Sequence, residues 1–135
     1  MVSSTPSDQA QPSAVPNGPA IVIAVTMGDA AGIGPELCIR LLQEKTWPEG
    51  SFPLVIGDYR VLERAAKAVG LPLQVPRLKE IPDPLVGPAI LDLPQALSGL
   101  DVTPGRHQAP CGAAAARYIE TAVQACRNGH CAGLV

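Results

Sequence analysis

The stretch Ile21-Val-Ile-Ala-Val-Thr-Met-Gly-Asp-Ala-Ala-Gly-Ile-Gly-Pro-Glu-Leu37 decides the fold of this chain. It opens with five apolar residues, 21–25, whose Val and Ile content is typical of a buried strand. Glycines at positions 28, 32 and 34 predict a tight turn in which the backbone approaches its surroundings closely. Pro35 then suits the first turn of a helix, because its missing N–H would be unpaired there anyway. Strand, glycine turn and helix start form half of a βαβ unit, and open α/β sheets bind ligands at such turns.

A second βα unit follows the first in register. Residues 52–56 predict a strand, and Asp58 is placed to cap the helix after it. That helix carries apolar residues at helical spacing and ends at Gly70, with a proline shortly beyond. Two such units in succession predict a pair of parallel strands joined by a right-handed crossover. The apolar positions of this helix are Val61, Leu62, Ala65 and Val69.

The remainder of the chain gives weaker signals until its last helix. Prolines interrupt residues 72–94, where only the short pieces 73–75 and 89–92 predict extended structure, toward an edge of the sheet. A long helix is predicted from about residue 110 to Asn128, and residues 132–135 predict the start of one more strand, so the chain reads as truncated there. The predicted buried stripe of the long helix is Ala115, Ile119, Ala122, Val123 and Cys126.

Composition predicts one globular domain and excludes several classes of function. The chain has 135 residues, of which 47% are hydrophobic and 16% charged, with a formal net charge of −2. A nucleic-acid groove or a polybasic membrane patch would need a basic face, and no apolar run has the length of a membrane span. Residues 1–19, rich in Pro and Ser, are predicted to be a flexible leader outside the fold.

The four cysteines predict reduced thiols in the cytoplasm, because the N-terminus lacks a secretion signal. Cys38 and Cys126 fall at apolar helical positions and are predicted to be small core residues. The grouping of Cys126, His130 and Cys131 lacks the second ligand pair that structural zinc needs. Neither this group nor the isolated His107 predicts a metal site by itself.

The glycine turn has two interpretations on its residues alone. It lacks the Gly-Lys-Ser/Thr ending of a Walker loop and the spacing of the Gly-x-Gly-x-x-Gly dinucleotide fingerprint. A turn needed for tight strand-to-helix packing and a loop that binds a ligand are therefore both open. Asp29 suits a turn position as well as a ligand contact. Glu36 is better explained as a carboxylate that complements the helix dipole than as a catalytic base.

Three segments together resemble one family of enzymes. Thr26-Met-Gly-Asp-Ala-Ala-Gly-Ile-Gly-Pro-Glu36 resembles the opening signature of the 4-hydroxythreonine-4-phosphate dehydrogenase (PdxA) family, with Ala30 in place of the usual proline. The second βα unit, residues 55–66, resembles the family's next segment. The run from Pro104-Gly105 through Gly112, Tyr118-Ile-Glu120 and Ala122-Val123 resembles its later helix.

The resemblance implies an α/β fold of the isocitrate/isopropylmalate-dehydrogenase type, a three-layer sandwich of which residues 20–135 form the N-terminal part. It implies a homodimer that oxidises 4-phosphooxy-L-threonine with NAD or NADP. The resulting β-keto acid then loses carbon dioxide to give 3-amino-2-oxopropyl phosphate, in pyridoxal 5'-phosphate (vitamin B6) biosynthesis. It also implies a divalent metal, zinc, magnesium or cobalt, which would act as a Lewis acid.

The same resemblance implies that the metal ligands and the catalytic residues lie beyond Val135. No catalytic or metal-binding residue is therefore predicted within this chain, which is expected to be inert alone. The only predicted site residues are Gly28, Gly32, Ile33 and Gly34, which should border the cleft and contact the cofactor. Two alternatives stay open: a D-erythronate or D-threonate 4-phosphate dehydrogenase of the same superfamily, and a non-catalytic remnant.

Overall fold

A computed structural model describes residues 18–48, 50–97 and 100–135. Most of the predicted leader, residues 1–17, lies outside this part of the chain. The described elements are β1 (Ile21–Thr26), α1 (Gly34–Gln43), β2 (Ser51–Gly57), α2 (Tyr59–Val69), β3 (Arg77–Leu78), β4 (Ala89–Asp92), a 3-10 turn (Pro94–Leu97), α3 (Ala109–Arg127) and β5 (Gly133–Leu134).

The five strands form one parallel sheet in the order β3-β4-β2-β1-β5. The crossover from β1 to β2 runs along the sheet in one direction, and the crossover from β4 to β5 runs in the other. Because parallel crossovers are right-handed, α1 and α2 lie on one face of the sheet and α3 lies on the opposite face. The contacts agree, since α1 packs beside α2 while α3 packs over β1, β2 and β5. The predicted three-layer α/β architecture is confirmed.

The core lies where β2 passes between the two helical layers. Leu54, Val55 and Ile56 are fully buried, as expected for a central parallel strand that is covered on both faces. From one side Ile39 of α1 and Leu62 of α2 complete this core, and both are fully buried. Small residues and one tyrosine of α3 complete it from the other side.

The residues that were predicted to begin and end the helices are found at those positions in the structure. Helix α1 starts at Gly34, one residue before Pro35, which was predicted to lie in its first turn. The Asp58 carboxylate caps α2, accepting hydrogen bonds from the backbone N–H groups of Arg60 and Val61. Gly70 and Gly129 follow their helices with φ of +68° and +79°, a conformation that glycine adopts without strain.

The predicted buried stripe of α3 is wrong by one position along most of its length. Ile119 and Val123 are 50% and 41% exposed, Ala115 and Cys126 are only partly buried, and Ala122 alone is buried as predicted. The sequence pattern misled because the largest aliphatic side chains do not face the sheet. The inward face consists instead of Cys111, Ala114, Tyr118, Ala122 and Ala125. Its alanines let the helix backbone lie close to the sheet.

The predicted strand at residues 73–75 is also wrong. The edge strand on this side of the sheet is β3, at Arg77–Leu78, whereas Leu73 and Val75 are partly buried against the core without joining a strand. Their alternation therefore reflects packing rather than strand pairing. The extended segment predicted at residues 89–92 is confirmed as β4, which pairs with β2 on one side and with β3 on the other. The strand predicted after α3 is confirmed as β5.

None of the described helices is both long enough and apolar enough to cross a bilayer. All four cysteines are free, and Cys38, Cys111 and Cys131 are buried.

Candidate functional site at the carboxyl edge of the sheet

The glycine turn, residues 28–34, joins β1 to α1 at the carboxyl edge of the parallel sheet. The chain leaves β1 toward β2 on one side and later reaches β5 on the other side of β1. Such a reversal of strand order opens a crevice at the carboxyl ends of the strands, where ligands bind in this class of fold. Gly32 is exposed and the side chain of Ile33 is 71% exposed, so the turn faces solvent rather than the interior.

Backbone hydrogen bonds hold the turn in one conformation. The Asp29 carboxylate accepts from the Ala31 N–H at 2.8 Å, and the Asp29 carbonyl accepts from the Gly32 N–H at 3.0 Å. The Ala31 carbonyl accepts from the Gly105 N–H at 2.7 Å, which ties the turn to the loop before α3. Asp29 is therefore a turn residue, one of the two roles that the sequence left open.

The glycines of the turn are required for different reasons. Gly28 has a φ of +72°, which favours glycine. A Cβ at Gly34 would collide with the carbonyl oxygen of Met27, so the backbone itself excludes a side chain there. A Cβ at Gly32 would meet only the Asp29 residue, whose carbonyl oxygen would lie 3.4 Å away. Close packing thus explains Gly34, while Gly32 lies at the surface with room beside it.

The first turn of α1 offers free hydrogen-bond donors. No side chain caps this helix, and Pro35 has no N–H. Within the described residues, the backbone N–H groups of Gly34 and Glu36 have no acceptor. Such donors, together with the positive end of the helix dipole, favour an anionic group. The exposed Glu36 carboxylate lies in the same turn and already supplies some of that negative charge.

Helix α2 begins at the same edge but is closed to ligands. Its first backbone donor, the Tyr59 N–H, is accepted by the Asp92 carboxylate at 2.8 Å, and the next two are accepted by Asp58. Both carboxylates are buried, and each has an arginine partner, Arg60 at 3.1 Å and Arg77 at 2.6 Å. The hydrogen bond and the charge of Asp58 raise the pKa of Arg60. Of the two helix starts on this face, only that of α1 is open.

The pair of Arg77 and Asp92 was not predicted from the sequence. The Arg77 guanidinium also lies over the Tyr59 ring, 4.7 Å from its centroid. The signal that could have shown this pair is an aspartate that ends an otherwise apolar strand, Ala89-Ile-Leu-Asp92. A carboxylate in that position needs donors, and the start of the neighbouring helix provides them.

Two buried protic groups of α3 lie beneath this edge. Burial, followed by the charge of Asp29, raises the pKa of the Cys111 thiol. Burial likewise raises the pKa of Tyr118, with smaller contributions from Asp58 and Cys111. The Tyr118 hydroxyl is fully buried and has no hydrogen-bond partner among the described residues. Sequence reasoning assigned neither residue a role at the edge.

The described residues do not fit a metal ion. Nowhere in residues 18–48, 50–97 and 100–135 do three His, Cys, Asp or Glu side chains come together as ligands. His107 lies in the exposed loop before α3, and His130 lies between α3 and the start of β5, at the amino edge of the sheet. The two histidines are thus at opposite edges.

Comparison with known proteins points to one group of dehydrogenases. A family model described as pyridoxal phosphate biosynthetic protein PdxA matches residues 49–135. A 4-hydroxythreonine-4-phosphate dehydrogenase of Trichlorobacter lovleyi is 32% identical over 124 residues, which cover 87% of this chain and 36% of that protein. A D-threonate 4-phosphate dehydrogenase of Cupriavidus necator is 40% identical over 111 residues, which cover 79% of this chain and 32% of that protein.

The solved structures agree with the sequence relatives. A crystal structure of a 4-hydroxythreonine-4-phosphate dehydrogenase from Burkholderia phymatum superimposes with a TM-score of 0.73 at 33% identity. The match covers 84% of this chain and 35% of the crystallised one. This chain therefore spans about a third of the length of the curated relatives that it matches.

Proposed function

We propose, because this chain belongs to the family of the pyridoxal phosphate biosynthetic protein PdxA, that the whole protein is an NAD(P)-dependent 4-hydroxythreonine-4-phosphate dehydrogenase. The observation that carries this proposal is the family-model match over residues 49–135. Relatives with this activity in their names are found among both sequences and solved structures. The oxidoreductase class is thus shared by the relatives, and the exact reaction is our proposal.

The proposed reaction has two steps. The secondary hydroxyl of 4-phosphooxy-L-threonine loses its proton to solvent or a base, and the carbon that bears it loses a hydride to NAD or NADP, which gives a ketone. The ketone lies β to the carboxylate, so carbon dioxide leaves and the electron pair of the broken bond is protonated. The product is 3-amino-2-oxopropyl phosphate, a precursor in pyridoxal 5'-phosphate biosynthesis.

In this proposal the glycine turn helps to bind the cofactor. The turn is fixed by the Asp29 hydrogen bonds and presents Gly32 and Ile33 to solvent. The free N–H groups of Gly34 and Glu36 suit a phosphate oxygen at the start of α1. The dinucleotide, when bound, supplies the hydride acceptor. Because the turn is already ordered, it would position the dinucleotide without losing conformational entropy each time the dinucleotide binds.

We propose no metal ligand and no catalytic residue on the described part of this chain; in that part, no three His, Cys, Asp or Glu side chains lie close enough together to hold a metal ion. A divalent metal, zinc, magnesium or cobalt, stays a proposal for the whole protein, and so does a homodimer. The cytoplasm is the proposed compartment, in keeping with four free thiols.

A second candidate is a D-threonate or D-erythronate 4-phosphate dehydrogenase. The D-threonate enzyme of Cupriavidus necator is 40% identical to this chain over 111 residues, and the Trichlorobacter lovleyi relative is 32% identical over 124 residues, so the comparison does not separate the two activities. All three candidate substrates are four-carbon acids with a terminal phosphate and a secondary hydroxyl. Their second carbon bears an amino group in 4-phosphooxy-L-threonine and a hydroxyl in the D-threonate and D-erythronate compounds.

The test is a substrate panel. The protein assayed contains this sequence and is as long as the relatives that it matches. NADH or NADPH formation would be followed with 4-phosphooxy-L-threonine, D-threonate 4-phosphate and D-erythronate 4-phosphate. We expect turnover of the first substrate by the long protein and none by residues 1–135 alone. Exclusive turnover of the D-threonate or D-erythronate substrate would select the second candidate. No turnover of any substrate, by a folded long protein, would favour the non-catalytic remnant.

A further inference from the structure

The strand β5 has an open edge without the residues that usually protect one. It pairs with β1 on one side, and within the described residues no strand pairs with its other side. Open sheet edges in native proteins are usually protected by charged side chains or prolines. The opposite edge of this sheet is protected in that way, since Arg77 lies in β3 and Pro76 directly precedes it. The segment Ala132-Gly-Leu-Val135 has neither, and its two aliphatic side chains are exposed.

Helix α3 turns an apolar flank toward this open edge. On its other flank, Arg117 and Thr121 line a groove together with Ala96 of the 3-10 turn that follows β4. Burial, followed by the charge of Cys126, raises the pKa of the Cys131 thiol, which lies just before β5, so the flank of Cys126 is the one beside β5. This flank consists of residues at helical spacing, Ala115, Ile119, Val123 and Cys126.

Helix α1 has a matching apolar flank on the other face of the sheet. The Gln43 side chain donates a hydrogen bond of 2.6 Å to the Pro72 carbonyl just after α2, so that flank of α1 faces α2. Leu37 and Leu41 lie four residues apart on the flank that faces away from α2, toward the β5 side of the sheet. Leu37 is more than half exposed. The two flanks and the edge between them form one surface, called here the β5 side: Leu37, Leu41, Ile119, Val123 and Leu134.

A second copy of this chain does not cover the β5 side. Helix α3 packs chiefly over β1. A two-fold axis at the free edge of β5 would therefore separate α3 from its copy by three strand spacings, roughly 14 Å. Packed helices lie only about 8–10 Å apart. A helix placed over the next strand beyond β5 would lie two spacings from α3, roughly 10 Å, and would cover its apolar flank.

We propose that the β5 side docks a further helix and strand from the remaining length of the whole protein. The strand would run parallel to β5, and the helix would pack against Ile119 and Val123. This connection continues in the direction of the crossover from β4 to β5, so the right-handed rule places its helix on the face of α3. Because parallel strands are covered on both faces, another helix of the same remaining length would cover Leu37 and Leu41.

The length of the relatives allows this docking. This chain covers 36% of the Trichlorobacter lovleyi relative, and a complete βαβ unit needs only about 30 residues. The docking does not depend on the reaction that the whole protein catalyses. It can therefore fail or succeed independently of the proposed dehydrogenase activity.

The test compares hydroxyl-radical footprinting, measured by mass spectrometry, of residues 1–135 and of a protein that contains this sequence and is as long as its relatives. Oxidation of Leu37, Ile119 and Leu134 should be about fivefold slower or more in the long protein, because side chains that are about half exposed become buried. Val86 is the control. It is 87% exposed in the loop before β4, away from the β5 side, and should be oxidised equally in both proteins.

A substitution tests the same surface in a second way. Ile119→Glu should lower the midpoint of thermal unfolding of the long protein by several degrees, because it buries an unpaired charge. The same change should shift the midpoint of residues 1–135 by no more than about 1 °C, since the side chain is half exposed there. Val86→Glu is the matched control and should leave both midpoints unchanged.

Equal oxidation of Leu37, Ile119 and Leu134 in the two proteins would overturn the proposal, and so would equal effects of Ile119→Glu on the two midpoints. Protection that is lost on dilution, in either protein, would assign the β5 side to a second copy and would also overturn it.

Discussion

At the scale of single residues, Gly34 is the position where the backbone tolerates no side chain. A Cβ there would collide with the Met27 carbonyl oxygen, and neither atom belongs to a flexible side chain that could move aside. We expect Gly34→Ala to lower the free energy of unfolding by about 1–3 kcal/mol, the usual cost of forcing extra atoms into a packed site. Urea denaturation followed by circular dichroism would measure it.

Gly112 provides the control for this substitution. It lies inside α3 without a positive φ, and a Cβ added to it would have no neighbouring atom within 4 Å. Gly112→Ala should therefore raise the free energy of unfolding by up to about 1 kcal/mol, because alanine favours the helix. A Gly34→Ala protein as stable as the original chain would contradict the close approach described here.

Several residues of this edge could be predicted from the sequence, and others could not. The glycines of the turn and the Asp58 cap follow from local conformational rules, which act within a few residues. The pairing of Arg77 with Asp92 joins residues from two strands, so no local rule reveals it. Tyr118 was visible only as one position of a helix, because its burial depends on which face of α3 meets the sheet.

At the scale of the elements, the start of α2 depends on Asp58. We expect Asp58→Ala to cost about 1–2 kcal/mol of unfolding free energy, as for other lost N-caps, because the N–H groups of Arg60 and Val61 lose their acceptor. Asp58→Asn keeps an acceptor oxygen and loses only the ion pair with Arg60. The arginine of that pair is 58% exposed, so solvent weakens the pair and this variant should be affected less.

Asp101→Asn is the matched control for the change of charge. Asp101 is an exposed aspartate outside the helix start, and its removal should alter the unfolding free energy by less than about 0.5 kcal/mol. Thermal and urea unfolding of the three variants would rank them. If Asp58→Asn proved as costly as Asp58→Ala, the ion pair rather than the cap would hold the start of α2.

Helix α3 shows why the position of an element was predicted better than its orientation. Its limits follow from Pro110 and Gly129, and both ends agree with the structure. Its buried face does not follow from the largest aliphatic residues, since Ile119 and Val123 face outward. Alanines occupy the contact with the sheet because space there is short. That contact is made with β1, β2 and β5, which come from separate segments of the sequence, so no single segment specifies it.

At the scale of the whole molecule, three of the four thiols, those of Cys38, Cys111 and Cys131, are buried. The parallel pairing of β1 and β2 could be predicted from the two βα units, and the three-layer architecture was implied by the family resemblance, whereas the order of the five strands was not predicted. The depth at which each thiol is buried could not be predicted, because it depends on all three layers together. That depth has a consequence for the response of the protein to pH.

Alkaline pH should destabilise this molecule, because two of its buried thiols keep their protons more tightly in the folded state than in the unfolded state. Burial raises the pKa of Cys38 and of Cys131 from 9.0 to about 11. Between these values the unfolded chain loses thiol protons that the folded chain keeps, so the unfolded state binds fewer protons and is favoured as pH rises. The stabilisation is complete below about pH 9 and is lost by about pH 11. Urea denaturation in reducing buffer, repeated across this range, would show a falling free energy of unfolding.

The contribution of one thiol can be isolated by comparing how steeply the free energy of unfolding falls with pH in two variants. Cys38→Ala should lower the free energy of unfolding at neutral pH, since it removes buried atoms, but should make its decrease between pH 9 and 11 shallower. Val61→Ala removes buried atoms but no ionisable group. It should lower the free energy of unfolding equally at every pH, so that the decrease between pH 9 and 11 is as steep as in the original chain. If Cys38→Ala kept the original slope, the buried thiol would not be a source of the alkaline instability, and the packing of α1 against the sheet would be looser than described.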